Sequence, residues 1–154
     1  MRYASIGTII HATLQPSDLL DAFTEALDDL AETRAMFDDS RATVELVGHT
    51  HDVLAHVETE RTGDDAEDWE LVEMLADTLQ LYAAPGTYFG AHEGDGSDFG
   101  FWPDWDYLDS INHIGDPCEL DTMGGGECVY VNDHGNVTYF ERVGDEWVSV
   151  WACV

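Results

Sequence analysis

Carboxylates recur about once per helical turn in two stretches of this chain. Asp18, Asp21, Glu25, Asp28 and Glu32, with Asp29 beside them, follow steps of three and four, and Glu70, Glu73 and Asp77 repeat the pattern. On a helix such groups stand roughly 5–6 Å apart along one face. That is close to the phosphate spacing along a DNA strand, so a row of this kind suits the charge-assisted hydrogen bonds by which Arg and Lys hold phosphates. The plain alternative is a solvated helix face. An ordinary solvated face mixes both signs at these spacings, and these two do not.

Three other groupings have residue types with chemical potential. His49, Asp52 and His56 share one face if their segment is helical, and two imidazoles with a carboxylate can bind a transition metal. Residues seven apart lie about 10.5 Å apart along a helix, too far for one ion without another segment, so no metal site is expected. The stretch from Tyr88 to Trp102 interleaves aromatics with Gly94, Asp95, Gly96 and Asp98. EF-hand spacing is absent from it, and no Lys follows its glycines as a phosphate loop requires. Its aromatics suit a core, or alternatively an interface centred on Trp102 and flanked by Asp95 and Asp98. Catalytic patterning is lacking: there is no nucleophile elbow, and no cysteine stands beside a histidine in a known pattern. A meeting of His92, Asp95 and His134 would need the fold to assemble it.

The chain that must position these groups has 154 residues, with 33 Asp and Glu against five Arg and no Lys, a formal net charge of −28. The acid is spread: residues 1–84 sum to −15 and residues 85–154 to −13. With 44% hydrophobic and 11% aromatic residues, the chain is too apolar for a disordered acidic tail and long enough for one domain with a core. Charge of this sign argues against unaided binding to nucleic acid or an anionic membrane, and for a basic partner or a very salty environment. If spread evenly over roughly 7,800 Å² of surface, it gives one negative charge per ~280 Å². Duplex DNA has about one per ~110 Å², so imitation of DNA requires the acids to concentrate locally. No apolar run reaches membrane-spanning length. Cys118, Cys128 and Cys153 are read as reduced thiols of a cytoplasmic protein, a Cys118–Cys128 bridge being the lesser alternative.

Periodicity predicts an α+β fold. A strand is expected over 1–11, then a helix opened by Pro16, Ser17 and Asp18 whose buried stripe is Leu19, Phe23, Leu27, Leu30 and Phe37. Residues 44–58 are rich in Val and Thr, but the Val47, Leu54 and Val57 spacing selects helix. A third helix starts at Asp64, which with Glu67 has capping-box spacing. It buries Leu71, Leu75, Leu79 and Tyr82 and stops at Pro85-Gly86. Beyond it, strands are expected at 88–92 and 99–102 around the turn 93–97, a helical turn over 107–114 and a loop over 118–127. An antiparallel meander of 128–132, 137–142 and 147–153 closes the chain.

The runs Y-F-G-A-H-x-G-D-G-x-D-F-G-F-W at Tyr88–Trp102 and V-N-D-H-G-N-V-T at Val131–Thr138, with G-T…P-S-D-L-L-D-A-F between Gly7 and Phe23, resemble a family of small, largely uncharacterised proteins of bacteria, phages and plasmids. The likeness spans most of the chain and is weakest over 40–62. It implies a mobile-element context and brings no binding residue with it. Charge and resemblance together lead to a functional expectation: a non-catalytic, cofactor-free counter-defence inhibitor of the anti-CRISPR or anti-restriction type. It would bind a basic, nucleic-acid-binding host protein through the two acidic rows and Asp95, Asp98 and Trp102. The alternative is an acidic interaction or housekeeping domain of a halophilic or high-GC organism.

Overall fold

A computed structural model of the chain describes residues 3–153. It is α+β, with the element order β1 (Gly7–Ile10), α1 (Pro16–Phe37), α2 (Arg41–Glu60), α3 (Asp65–Gln80), β2 (Thr87–His92), β3 (Asp95–Pro103), α4 (Trp105–Ser110), β4 (His113–Ile114), a 3₁₀ helix (Pro117–Thr122), β5 (Glu127–Val131), β6 (Val137–Val143) and β7 (Glu146–Cys153). The chain divides into two compact units. Met1–Ala83 with Tyr88–Trp102 form the first, and Ala84–Thr87 with Pro103–Val154 the second.

In the first unit, three helices and a three-stranded sheet of order β1-β3-β2 share one core. Pro16 sits in the first turn of α1, where its missing N–H costs nothing. Leu19, Leu20, Phe23, Leu27 and Ala31 then bury one stripe of α1, and Leu71, Val72, Leu75 and Leu79 bury one stripe of α3. Three residues separate α1 from α2, so the two run antiparallel, as the pairs Arg34–Thr43 and Arg61–Asp21 record at opposite ends. Ser40 caps α2 by accepting from the Thr43 N–H. A two-residue turn at Glu93-Gly94 joins β2 to β3, and Phe89 and Phe101 turn inward from this hairpin. The aromatic stretch is therefore chiefly core, and the predicted turn over 93–97 is shorter because β3 already begins at Asp95.

Three expectations are corrected here. The N-terminal strand is only four residues long, with Met1 and Arg2 outside the described residues. Ala4 is buried and gives its N–H to the Tyr82 carbonyl in the turn that follows α3, so this segment is held by that turn instead of extending the sheet. Phe37 is 68% exposed, because the last turn of α1 runs past the core. The Asp64–Glu67 capping box does not close: Asp64 accepts from the Ala66 N–H, but its own N–H goes to Thr62 Oγ1. A capping box forms instead at Asp116 and Glu119.

The turn from α1 to α2 is pinned by Asp38. Its carboxylate accepts from the Thr43 hydroxyl (2.6 Å) and from the Ser40 N–H (2.9 Å), with Arg34 Nε 4.0 Å away. The Thr43 hydrogen bond, followed by those from Ser40, lowers the Asp38 pKa to about 2 from the usual 3.8. A depressed carboxylate pKa adds stability above the unfolded value and loses it as pH falls through the folded one. Wild type should therefore lose stability between pH 3.8 and about 2 more steeply than Asp38→Asn, as followed by the thermal midpoint at stepped pH. Parallel acid limbs for the two proteins would contradict the assignment.

The second unit holds a four-stranded sheet of order β4-β5-β6-β7. Strands β5, β6 and β7 form the expected antiparallel meander, while the two-residue β4, not expected, pairs with β5 in parallel. Buried Tyr139 stacks on Trp151 with centroids 5.6 Å apart, and the Trp151 indole donates to the Pro85 carbonyl at 2.8 Å. Gly86 is held at φ +70°, and a Cβ there would meet Leu108 Cδ2 at 2.9 Å, so both backbone and space demand glycine. The three cysteines are free thiols, so the Cys118–Cys128 bridge is not formed. Among the described residues, no helix is long and apolar enough to cross a membrane.

Candidate functional site

The acidic row of α1 is exposed and lies opposite the buried stripe of its own helix. At 100° per residue, Asp21, Glu25, Asp28 and Glu32 cluster about half a turn from Leu19, Phe23 and Leu27, and all four are exposed, as is Asp18. Asp18 accepts from the Thr13 hydroxyl at 2.7 Å, which anchors the segment leading into α1.

Because α2 runs antiparallel beside α1, part of this row becomes the wall of a groove of about 610 Å³. Asp21, Glu25 and Asp28 line the α1 side, and α2 contributes Glu58 with His51. Between the walls lie Thr24, Leu54, Ala55 and Val57, of which Val57 is buried. Arg61, the residue that caps the end of α2, closes one end. Its guanidinium donates Nη1–H to Asp21 Oδ1 at 2.5 Å and Nη2–H to the Ser17 carbonyl at 3.2 Å. Among the described residues no such cation stands against Glu25, Asp28 or Glu58. Among the described residues the salt bridges are Arg61–Asp21, Arg34–Asp38 and Arg41–Glu45.

The second row occupies a different helix. Glu70, Glu73 and Asp77 are exposed on the side of α3 away from its buried stripe, and none of them lines the groove. The hairpin residues are separate again. Asp95 is exposed and folds back on Ser97, accepting from its N–H (3.0 Å) and hydroxyl (2.8 Å), and these bonds lower its pKa. Asp98 is half-buried, with Oδ1 shielded and without a hydrogen-bond partner among the described residues. Trp102 is half-buried; its indole donates to the Gly90 carbonyl at 3.0 Å, and its ring meets His92 edge to face at 4.7 Å. The structure thus gathers three of the α1 acids into one groove and leaves the α3 row and the hairpin outside it.

His49, Asp52 and His56 are exposed on α2. Among the described residues no group of three His, Cys, Asp or Glu stands close enough together to hold a metal ion. His92 and Asp95 belong to the first unit and His134 to the second.

Periodicity missed Glu58 and Arg61. Both lie at the C-terminal end of α2, outside the acidic rows, and the counterpart of Arg61, Asp21, is forty residues away in sequence. The available signal was the short 38–40 connection, which makes α1 and α2 antiparallel neighbours and sets residues near 21 against those near 60. A second polar cluster was also illegible. In the second unit, Tyr107 and Tyr139 both donate to Glu127 Oε2, at 2.5 and 2.6 Å, and join α4, β5 and β6. The Tyr107 hydroxyl pKa is raised chiefly by that hydrogen bond, and the Tyr139 pKa chiefly by burial.

In comparisons with known proteins, no family model, curated protein or solved structure matches the chain.

Proposed function

We propose that the protein is an acidic, non-catalytic inhibitor that docks its α1–α2 face on the basic, nucleic-acid-binding surface of a host defence enzyme. The observation that carries this reading is the exposed row Glu25, Asp28 and Glu32, which continues into a groove and is paired with no cation among the described residues. A helix face rich in carboxylates without i,i+4 Lys or Arg gives up local stabilisation, and a basic partner restores it. In the complex, Arg and Lys that otherwise hold phosphates hold these carboxylates. The α1 row is the principal contact, because the α3 row stands apart from the groove. The resemblance to proteins of phages and plasmids favours a defence enzyme as the target.

The test is a DNA-cleavage assay with a panel of purified defence enzymes, at least one CRISPR effector and one restriction endonuclease. Inhibition of one of them is expected. It should weaken at least about tenfold in the triple variant Glu25→Gln, Asp28→Asn, Glu32→Gln, and also when salt rises from 50 to 300 mM. Inhibition that ignores the triple variant would remove the charge-based mechanism. Absence of inhibition across the panel, with a thermal midpoint that climbs steeply into molar salt, would favour the salt-adapted alternative. That second reading draws on the spread of acid over both units.

A further inference from the structure

The α1–α2 groove already contains one bound guanidinium, that of Arg61, and it shows how another would fit. Arg61 uses two nitrogens, one on a carboxylate of the α1 row and one on a backbone carbonyl of the same helix. Continuing along α1 from Asp21, the next groove carboxylates are Glu25 and Asp28, with Glu58 facing from α2. They repeat the carboxylate of the Asp21 position with no cation paired to them among the described residues. The helix rise puts Glu25 about 6 Å and Asp28 about 10.5 Å beyond Asp21. Arginines one helical turn apart on a bound segment would match that spacing.

We propose that this groove binds an amphipathic segment of another protein through arginines spaced three or four residues apart, and that Arg61 acts as an internal arginine that keeps one position filled. This deepens the functional reading above and rests on it for the identity of the partner, not for the chemistry of the groove. Arginine suits the site better than lysine. Its planar fork can bridge a carboxylate and a backbone carbonyl, as Arg61 does, and its weaker hydration lowers the cost of entering a partly apolar cleft. The aliphatic stem of the incoming arginine would lie on Leu54 and Ala55. A second copy of this chain is a poor occupant, since it has no Lys and its five Arg are scattered singly, nowhere three or four residues apart.

The experiment uses the full chain and a labelled synthetic helical peptide with two arginines four residues apart beside a Leu and Ala face. Fluorescence anisotropy is read at 150 mM salt, with circular dichroism verifying that each variant is folded. The arginine peptide is expected to bind at least fivefold more tightly than its lysine counterpart. Asp28→Asn with Glu58→Gln should weaken it at least tenfold. Arg61→Gln should tighten it threefold or more, because Asp21 is released. Arg41→Gln removes the same charge from a residue that is 92% exposed and paired with Glu45 away from the groove, and it should leave affinity unchanged. Equal binding of the arginine and lysine peptides, or an Arg61→Gln effect no larger than that of Arg41→Gln, would overturn the proposal in favour of a diffuse acidic field. Displacement of the peptide by spermine at equal concentration would overturn it in favour of a polyamine site. Inhibition of a defence enzyme by a chain that fails these peptide tests would remove the groove inference alone. Peptide binding with no enzyme inhibited would support the groove and remove the proposed function.

Discussion

Phe23→Ala is expected to cost about 4 kcal/mol, the largest loss from any single replacement proposed for this chain. The Phe23 side chain is fully buried in α1. Its ring meets Phe89 edge to face with centroids 5.0 Å apart and Phe99 at 5.8 Å, while Phe89 in turn packs on Phe101 at 5.1 Å. One side chain thus ties the first helix to both strands of the β2–β3 hairpin. Truncation removes the transfer free energy of the ring and leaves a cavity whose walls belong to three separate elements and cannot all close in together. Urea denaturation followed by the helical circular dichroism signal, which α1, α2 and α3 dominate, measures the loss. Phe23→Leu should recover most of it. A loss below about 1 kcal/mol for the alanine variant would mean that the helices and the hairpin do not share this core.

The second large effect falls on an acid that contributes nothing to the exposed rows. Asp68 is only 2% exposed. Its Oδ1 accepts from the Thr62 N–H (3.0 Å) and hydroxyl (3.3 Å), and its Oδ2 from the Gly63 N–H (3.1 Å). The carboxylate therefore satisfies two backbone donors of the α2–α3 turn, where Gly63 sits at φ +79°. Asp68→Ala removes all three of these hydrogen bonds to a buried side chain, for an expected loss of about 3 kcal/mol. Asp68→Asn retains one acceptor oxygen and should lose less. The control is Glu70→Ala, on the exposed face of the same helix, which should stay within about 0.5 kcal/mol of wild type. Equal losses for Asp68→Ala and Glu70→Ala in the same urea titration would show that the turn does not depend on the buried carboxylate.

Much of the architecture was legible because it is local. Pro16 and the Leu19–Phe23–Leu27 spacing placed α1, the Leu71–Leu75–Leu79 spacing placed α3, and Asp133-His134-Gly135-Asn136 and Gly144-Asp145 placed the turns of the meander. Two of those turn glycines, Gly135 and Gly144, have positive φ, which is the reason such turns can be read from sequence. The failures concern residues whose environment is set by distant parts of the chain. Phe37 continues an apolar period beyond the point where the core ends. Asp68 looks like one more acid, although it lies on the helical period of Leu71 and Leu75 and so belongs to the buried stripe. For the site, the α1 row was legible as a row. That α2 would turn it into a groove, and that Arg61 would occupy one end, depended on a pairing forty residues apart.

The path of the chain between the two units limits how the protein can be cut. The chain leaves the first unit after Ala83, returns at Tyr88 and leaves again after Trp102. Cleavage at residue 84 would keep all three long helices but discard Phe89, Phe99 and Phe101, leaving Phe23 without its aromatic neighbours. A fragment ending at Trp102 keeps that cluster whole, yet takes with it Pro85, the acceptor for the Trp151 indole. A single scission can therefore release the first unit whole but never the second, and a recombination event that exchanged the second unit would have to carry the Ala84–Thr87 segment as well as the chain beyond Trp102.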